Sequence, residues 1–254
     1  MNTASKTITS SYPPSRHAVA GGCMRSILLM SCLPSYANDY IVYSPVVVAG
    51  QNEIESRAAL DQGGHPSVPG AWEEDLSIAH GMSAWWKSEI YFLKEAASTQ
   101  TPPRLLGYEF ENTFQAAAQG RYAFTPGFLL SYEKSRQAGV PDALEMGPLF
   151  ERQEGALKQD LNLIWESALQ HDVPTQPGWR AAYAARYRYS DAWQPGVEAY
   201  LRHSDHSNQI GPTLSGEWPQ HRGDELEYSF GAVFGCNHSA ARVTWILRLE
   251  EEFN

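Results

Sequence analysis

The sequence contains no long run of apolar residues, although apolar residues make up 43% of its 254 positions. A helix that crosses a membrane needs about 20 consecutive, mostly apolar residues, and the apolar stretches here are much shorter and are interrupted. Transmembrane helices are therefore excluded by the sequence. Any crossing of a membrane must be made by β-strands.

Basic residues and cysteines are also scarce. The chain has 19 Lys and Arg against 29 Asp and Glu, and only three cysteines. Cys23 and Cys32 lie in a predicted leader, so Cys236 is left without a partner for an internal disulfide. Such an acidic chain is a poor ligand for nucleic acid, and we expect no nucleic-acid partner.

The first 37 residues are interpreted as a leader. Residues 24–37 begin with Met24 and Arg25, continue with a short apolar stretch and end in small residues, which is typical of a secretory signal cleaved after Ala37. The alternative for this stretch is a buried N-terminal strand. A lipoprotein signal ending at Cys32 fits less well. Residues 1–23 precede the signal as an extended reading frame or an unstructured leader.

The remainder alternates apolar and polar residues with a period of two, in stretches of about ten residues separated by turn residues. This pattern is typical of a membrane β-barrel. It predicts an all-β fold, a transmembrane antiparallel up-and-down β-barrel of about twelve strands, within a range of about 10–14. The predicted strands are 51–60, 73–82, 87–96, 104–118, 121–135, 142–153, 157–169, 179–189, 192–202, 208–218, 224–236 and 240–253.

A soluble β-sandwich also alternates, so the connections decide between the two folds. Along most of the chain, longer polar connections alternate with tight turns, as they do in bacterial barrels whose termini both lie in the periplasm. The predicted organisation is a leader and signal peptide over 1–37, an N-terminal periplasmic segment over 38–50 and an outer-membrane barrel over 51–254. Whether residues 38–50 plug the barrel is left open.

Prolines challenge the strand assignment, because a proline cannot donate a hydrogen bond to a β-ladder. Pro126, Pro148, Pro195 and Pro212 fall inside predicted strands, and each stands next to a glycine. We interpret these pairs as kinks or bulges in the barrel wall.

The last predicted strand places apolar residues at every second position back from Phe253. This ending resembles the C-terminal signal by which the barrel-assembly machinery recognises outer-membrane barrels. It departs from that signal at Glu251, where an aromatic residue is common, and at Asn254, which follows the phenylalanine. The resemblance implies a bacterial outer-membrane location.

The stretches 107–114, 144–148 and 210–214 are similar in texture to outer-membrane transporter-like barrels grouped with the MetA pathway of phenol degradation. The similarity extends over about residues 40–253 and includes no diagnostic motif. It implies uptake or passage of small molecules and assigns no site residue.

The alternation predicts which charged side chains face a channel lumen. The main predicted lumen residues are Glu109, Glu111, Glu133, Glu145, Asp160, Glu166, Arg186, Arg188, Glu198, Arg202, Glu217, Glu227, Arg242 and Arg248. The same face includes Glu53, Glu55, Arg57, Glu89, Glu151, Asn162, Glu225, Glu250 and Glu252. Acids exceed bases, so the sequence predicts a barrel that passes or binds a small solute and favours cations. The alternative is a structural barrel whose Glu–Arg pairs fill a closed lumen.

A barrel hydrolase with a site at its rim is a further alternative, and it would need a histidine beside a hydroxyl or a carboxylate. The candidates are His203 with Asp205 and His206, and His171 with Asp172. They carry no recognisable hydrolase motif, and three ligands within four residues are weak support for a metal. We therefore predict no enzyme, no catalytic residue, no metal and no cofactor.

Tryptophans lie at or near the ends of the predicted strands, as an aromatic girdle at a membrane interface requires. They are Trp85, Trp86, Trp179, Trp193, Trp218 and Trp245. The expected partners are outer-membrane lipid and lipopolysaccharide, the barrel-assembly machinery and a small-molecule solute.

Overall fold

The structure, a computed structural model, describes residues 40–63, 71–96, 98–169, 177–220 and 224–253. These residues form twelve β-strands. Their bounds are β1 Asn52–Gln62, β2 Trp72–Ser83, β3 Trp86–Ala96, β4 Arg104–Gln115, β5 Thr125–Ser135, β6 Asp142–Glu154, β7 Leu157–Leu169, β8 Gly178–Tyr187, β9 Gln194–Arg202, β10 Asn208–Pro219, β11 Glu225–Gly235 and β12 Val243–Phe253. Within the described ranges, no helix is long and apolar enough to cross a membrane. The predicted leader and signal peptide lie outside them.

Each strand pairs antiparallel with its neighbours in sequence, and β1 also pairs with β12. In that closing pair, Asn52 lies opposite Phe253 and Gln62 lies opposite Val243. The sheet is therefore a closed barrel, which leaves none of the twelve strands with a free edge. The predicted antiparallel up-and-down barrel is confirmed.

The period-two alternation determines which face of the sheet forms the inside of the barrel. In β7, Asp160, Asn162 and Glu166 are buried, whereas Leu161 and Trp165 between them are exposed. The barrel thus has charged side chains inside and apolar side chains outside, the reverse of a water-soluble sandwich. The exposed apolar surface includes Ile78, Phe92, Phe110, Leu130, Met146, Leu163, Leu201, Ile210, Phe230 and Leu247.

The connections are longer than predicted at three places, one of which is 236–242 between β11 and β12. The turns at 84–85 and 155–156 are tight, as expected, but the connections 116–124 and 188–193 are longer than the tight turns that the sequence predicts. In both cases the following strand begins one residue before a proline, Pro126 or Pro195. Because proline cannot donate to the ladder, the start of a strand is one of the few places where it is tolerated.

Pro148 and Pro212 lie inside β6 and β10, where the ladder is interrupted on one side. The β6–β7 pairing passes over positions 147 and 148, and the β10–β11 pairing passes over 211 and 212. A Cβ atom on Gly147 would lie 1.9 Å from the carbonyl oxygen of Leu163, so only glycine permits this approach of the two backbones. The pairing resumes in unchanged register beyond each gap, so each proline interrupts the ladder without the extra residue that would make a bulge.

The candidate lumen and the segment inside it

Residues 40–50 precede β1, and we call them the luminal segment. Residues 40–47 lie inside the barrel, whereas residues 48–50 are exposed where the segment joins β1. Ile41, Val42 and Tyr43 are buried. Val42 packs in one cluster with residues of β8, β9, β11 and β12, and Ile41 and Tyr43 pack with residues of β5, β6 and β7. The segment therefore contacts the inner face on several sides of the barrel.

Polar side chains of the wall bind the backbone of this segment. The side-chain amide of Asn162 accepts a hydrogen bond from the Tyr43 N–H at 2.7 Å and donates one to the Tyr43 carbonyl at 2.9 Å. The side chain of Gln115 accepts from the Val47 N–H at 2.9 Å. Buried backbone groups need such partners, so these contacts fix the position of the segment.

The luminal segment extends from one end of the barrel towards the other. Gly50 donates a hydrogen bond to the Gly81 carbonyl at 2.7 Å, near the end where β2 finishes and β12 finishes. The hydroxyl groups of Tyr40 and Thr244 lie 3.4 Å apart, near the end where β12 begins. Which end faces the periplasm stays a prediction, as does the assignment of 38–50 as a periplasmic segment.

Two arginines flank the ring of Tyr43. The guanidinium carbons of Arg57 and Arg180 lie 5.8 Å and 5.9 Å from the ring centroid. These distances are typical of cation–π contacts, which are strengthened when the groups are shielded from water. Arg180 also forms ion pairs with Glu145 at 2.7 Å and Glu166 at 2.9 Å. Arg180 thus joins the luminal segment to the acids of β6 and β7.

Glycines in the wall provide the space that the segment occupies. A Cβ atom on Gly81 would lie 1.9 Å from the carbonyl oxygen of Val48, and one on Gly127 would lie 2.5 Å from the Cβ of Pro45. The wall and the segment are therefore in direct contact at both positions. A larger side chain at either position would require the segment to move.

The predicted lumen residues fall into three groups. The buried group consists of Glu109, Glu111, Glu145, Asp160, Glu166 and Glu198. The half-buried group on the same faces consists of Glu133, Arg186, Arg202, Glu217, Glu227 and Arg248. Arg188 and Arg242 are exposed in connections, because β8 ends at Tyr187 and β12 begins at Val243. The wall therefore contains twelve of the fourteen predicted side chains, and the remaining two lie beside its ends.

Several inward-facing residues were missed by the sequence analysis. Lys87 lies 2.7 Å from Glu53 inside the barrel, and Asp75 and Arg180 are buried there. Lys87 and Arg180 have the same parity as predicted lumen residues on their strands, so the alternation contained this signal. No lumen residue was predicted on β2, the strand of Asp75. No pattern in the sequence predicted the contacts of Tyr43, because the luminal segment has no regular secondary structure.

Carboxylates oppose one another across neighbouring strands. Glu89 lies opposite Glu111, and Glu109 lies opposite Glu133. Like charges in such positions destabilise a sheet unless a cation or a proton compensates them. Arg180 is the one base among the charged side chains of the described residues that are almost fully buried; the others are acids. The almost fully buried charged side chains of the interior are therefore nearly all acids.

Little open space remains beside the luminal segment at the level of Tyr40. A cavity of about 30 Å³ lies between Tyr40, Arg57 and Asp75 of the interior. A buried water needs roughly 10–15 Å³ measured in this way, so the cavity has room for about two waters. At this level the lumen is largely filled.

One acidic cluster has the spacing of a cation site. Carboxylate oxygens of Glu53, Glu250 and Glu252 lie within 4.8 Å of one another. The ammonium group of Lys87 lies 2.7 Å from Glu53 and 3.9 Å from Glu89. A basic side chain therefore already provides positive charge at this cluster.

The histidines considered for a rim hydrolase have other contacts. The ring of His203 stacks on Trp179 with centroids 5.4 Å apart, and it meets His206 edge to face. Asp205 accepts a hydrogen bond from the Ser207 N–H at 2.9 Å. These contacts assemble no nucleophile, base and acid group among the residues of this loop. His171 and Asp172 lie outside the described residues.

The predicted tryptophan girdle can be located on the barrel. Five of its six members are exposed at or near strand ends, and Trp86 is half-buried. Trp85 and Trp86 both stack with Phe114 at the end where β4 finishes. Aromatic side chains at this level suit the interface between lipid tails and water.

Comparison with known proteins identifies the fold. No protein-family model and no curated protein matches the sequence. An outer-membrane channel from Pseudomonas putida F1 superposes with a TM-score of 0.56 at 10% identity, covering 85% of this chain and 98% of that chain. The NanC porin superposes with a TM-score of 0.52 at 11% identity, covering 79% of this chain and 99% of its own.

The KdgM porin is similar to the same degree. It superposes with a TM-score of 0.51 at 12% identity and covers 80% of this chain and 98% of its own. The same porin has a second structure in complex with oligogalacturonate, which superposes with a TM-score of 0.50. At these identities the likeness shows the fold, which is that of outer-membrane porin-type barrels.

Proposed function

We propose that this protein is an outer-membrane barrel through which small solutes pass, and that the luminal segment restricts the passage. The observation that carries the proposal is a porin-type barrel whose acid-rich interior is occupied by a segment bound through discrete polar contacts. Such contacts can be exchanged for contacts with water, so the segment can leave the wall without unfolding the sheet. The resemblance to the MetA-pathway group agrees with passage of small molecules.

The charge of the interior supports a preference for cations. Glu109 and Glu111 lie on β4, and Glu133 lies on the neighbouring β5 opposite Glu109. Rings of carboxylates favour the passage of cations. The KdgM porin has been captured with oligogalacturonate, a polyanion, and the acid excess here argues against a polyanion as the solute.

The outer-membrane location can be tested by fractionation. We expect the mature protein to sediment with the outer membrane and to run faster on a gel before boiling than after it, because a closed sheet of this kind stays folded in detergent. A chain that remains soluble and monomeric without detergent would refute the membrane barrel. The predicted partners, outer-membrane lipid, lipopolysaccharide and the assembly machinery, belong to the same proposal.

The cation preference predicts a result in planar bilayers. Under a salt gradient, the reversal potential should have the sign of cation selectivity, because carboxylates dominate the interior. Replacing Glu109 and Glu133 together with glutamine should move that potential towards zero. Replacing Glu251, which is exposed on the outer face, with glutamine is the matched control and should leave it unchanged. Anion selectivity in the unmodified protein would contradict the proposal.

The filled interior favours a second candidate, a structural barrel with a closed lumen. The luminal segment is buried at Ile41, Val42, Tyr43 and Val47, and the cavity beside Tyr40 has a volume of only about 30 Å³. A structural barrel would show no conductance even when the segment is removed, whereas a gated channel would conduct.

A further inference from the structure

We infer that the inner face of β4 to β8, together with Arg57 of β1, is a binding site for an extended peptide, and that the luminal segment occupies this site as an intramolecular ligand. The inference rests on the proposed function in one respect: the segment must be able to leave the wall. It adds an extended peptide, as a class of ligand, to the small solutes of the proposed function.

Asn162 provides the first argument. Its side-chain amide donates to the carbonyl and accepts from the N–H of one residue, Tyr43, at 2.9 Å and 2.7 Å. An amide side chain carries a donor and an acceptor side by side, which matches the N–H and C=O of a peptide residue. With the segment in place, Asn162 is almost fully buried on β7, and both of these hydrogen bonds are shielded from water.

Gln115 provides a second contact of the same type. Its side-chain oxygen accepts from the Val47 N–H at 2.9 Å, and its nitrogen donates to the Ala117 carbonyl at 2.9 Å, which orients the amide. Asn162 and Gln115 thus bind main-chain groups four residues apart in the ligand. Recognition of main-chain groups does not depend on the ligand sequence.

Two contacts do depend on the ligand sequence. The ring of Tyr43 lies between the guanidinium groups of Arg57 and Arg180. The hydroxyl of Ser44 donates to Glu151 at 2.7 Å. The next main-chain group approaches the wall closely, because Pro45 lies against Gly127. The site therefore selects an aromatic residue followed by a hydroxyl residue, and it requires aliphatic residues at the buried positions of Ile41, Val42 and Val47.

The experiment measures binding of a fluorescent nonapeptide, residues 40–48, to a variant that lacks these residues. Fluorescence anisotropy in detergent should show saturable binding. The full-length protein should bind far less, because its own segment competes at an effective concentration on the order of millimolar. Replacing Asn162 with leucine in the shortened barrel should weaken binding about tenfold, the loss expected for two hydrogen bonds.

Gln159→Leu is the matched control. Gln159 lies on the same strand as Asn162 but on the outer face, where it accepts a hydrogen bond from Tyr183 at 2.9 Å. Binding should not change in this variant. If both substitutions weaken peptide binding equally, or if neither weakens it, the proposed site is overturned. Either result would indicate that the peptide adsorbs to the outer surface or to detergent.

Two further peptides test the ligand class. A peptide that keeps the residues of positions 43–45, exchanges Ile41, Val42 and Val47 for other aliphatic residues and replaces the rest with threonine or alanine should still bind. A peptide with an N-methyl group on residue 43 should bind about tenfold more weakly. If only the natural sequence binds, the wall is specific for its own segment and the inference of a peptide ligand fails. Galacturonate oligomers in place of peptide should not bind.

The outcomes separate this inference from the proposed function. A shortened barrel that conducts ions but binds no peptide contradicts the inference alone. One that binds peptide but never conducts contradicts the proposed passage alone. If the shortened chain does not fold, the full chain with Gly81→Leu replaces it, since a larger side chain there displaces the segment at Val48. Absence of peptide binding in that folded variant overturns the inference equally.

Discussion

Deletion of residues 40–48 is expected to raise the single-channel conductance of the barrel on the order of tenfold, since barrels of this strand number enclose more space than their own wall side chains fill. In the intact chain, Ile41, Val42, Tyr43 and Val47 take up that space and leave a cavity of about 30 Å³ near Tyr40. Without them, water and ions can fill the lumen. Single-channel recording in planar bilayers measures the change.

We expect the same increase in conductance for Gly81→Leu in the full-length chain. The nearest atoms to a Cβ at this position all belong to the luminal segment, the closest being the Val48 carbonyl oxygen at 1.9 Å. The substitution should therefore displace the segment and raise conductance, while the outward-facing control Met82→Leu should not. If both the deletion and Gly81→Leu give folded barrels with the conductance of the original protein, the segment does not restrict passage.

The sequence predicts the barrel wall well because apolar and polar residues alternate with a period of two, and so do the lipid-facing and lumen-facing positions of a strand. Each residue of a strand faces either lipid or lumen, so a row such as Leu161, Leu163 and Trp165 alternating with Asp160 and Asn162 has one physical interpretation in a closed sheet. The strand ends were harder to predict. At Pro126 and Pro195 the strand begins one residue before the proline, whereas alternation alone had started it several residues earlier at 121 and two residues earlier at 192.

The luminal segment could not be placed from the sequence, for a different reason. It has neither a period of two nor a period of 3.6, and its apolar residues Ile41, Val42 and Val47 suit a buried strand as well as an irregular chain. Its position depends on Asn162 and Gln115, which lie more than sixty residues away in sequence. Alternation predicts that Asn162 faces inward, but it does not predict which partner the side chain finds there.

Replacing Arg180 with methionine is expected to destabilise the barrel by about 3–5 kcal/mol, because it leaves buried carboxylates without their cation. Arg180 is 2% exposed and lies 2.7 Å from Glu145 and 2.9 Å from Glu166. The midpoint of urea unfolding in detergent, followed by loss of heat-modifiable mobility, measures the effect. Arg152→Met is the control: Arg152 pairs with Glu154 at 2.9 Å on the exposed surface, where such a pair contributes at most about 1 kcal/mol.

A triple variant distinguishes lost charge from lost packing. If the cost of Arg180→Met arises from uncompensated carboxylates, adding Glu145→Gln and Glu166→Gln should restore most of the stability, since neutral amides need no cation. If the triple variant is no more stable than Arg180→Met alone, the contribution of Arg180 is its packing against Tyr43, whose ring centroid lies 5.9 Å away. In that case the luminal segment, rather than the acid pairs, supports this part of the wall, and deleting residues 40–48 should destabilise the barrel by a similar amount.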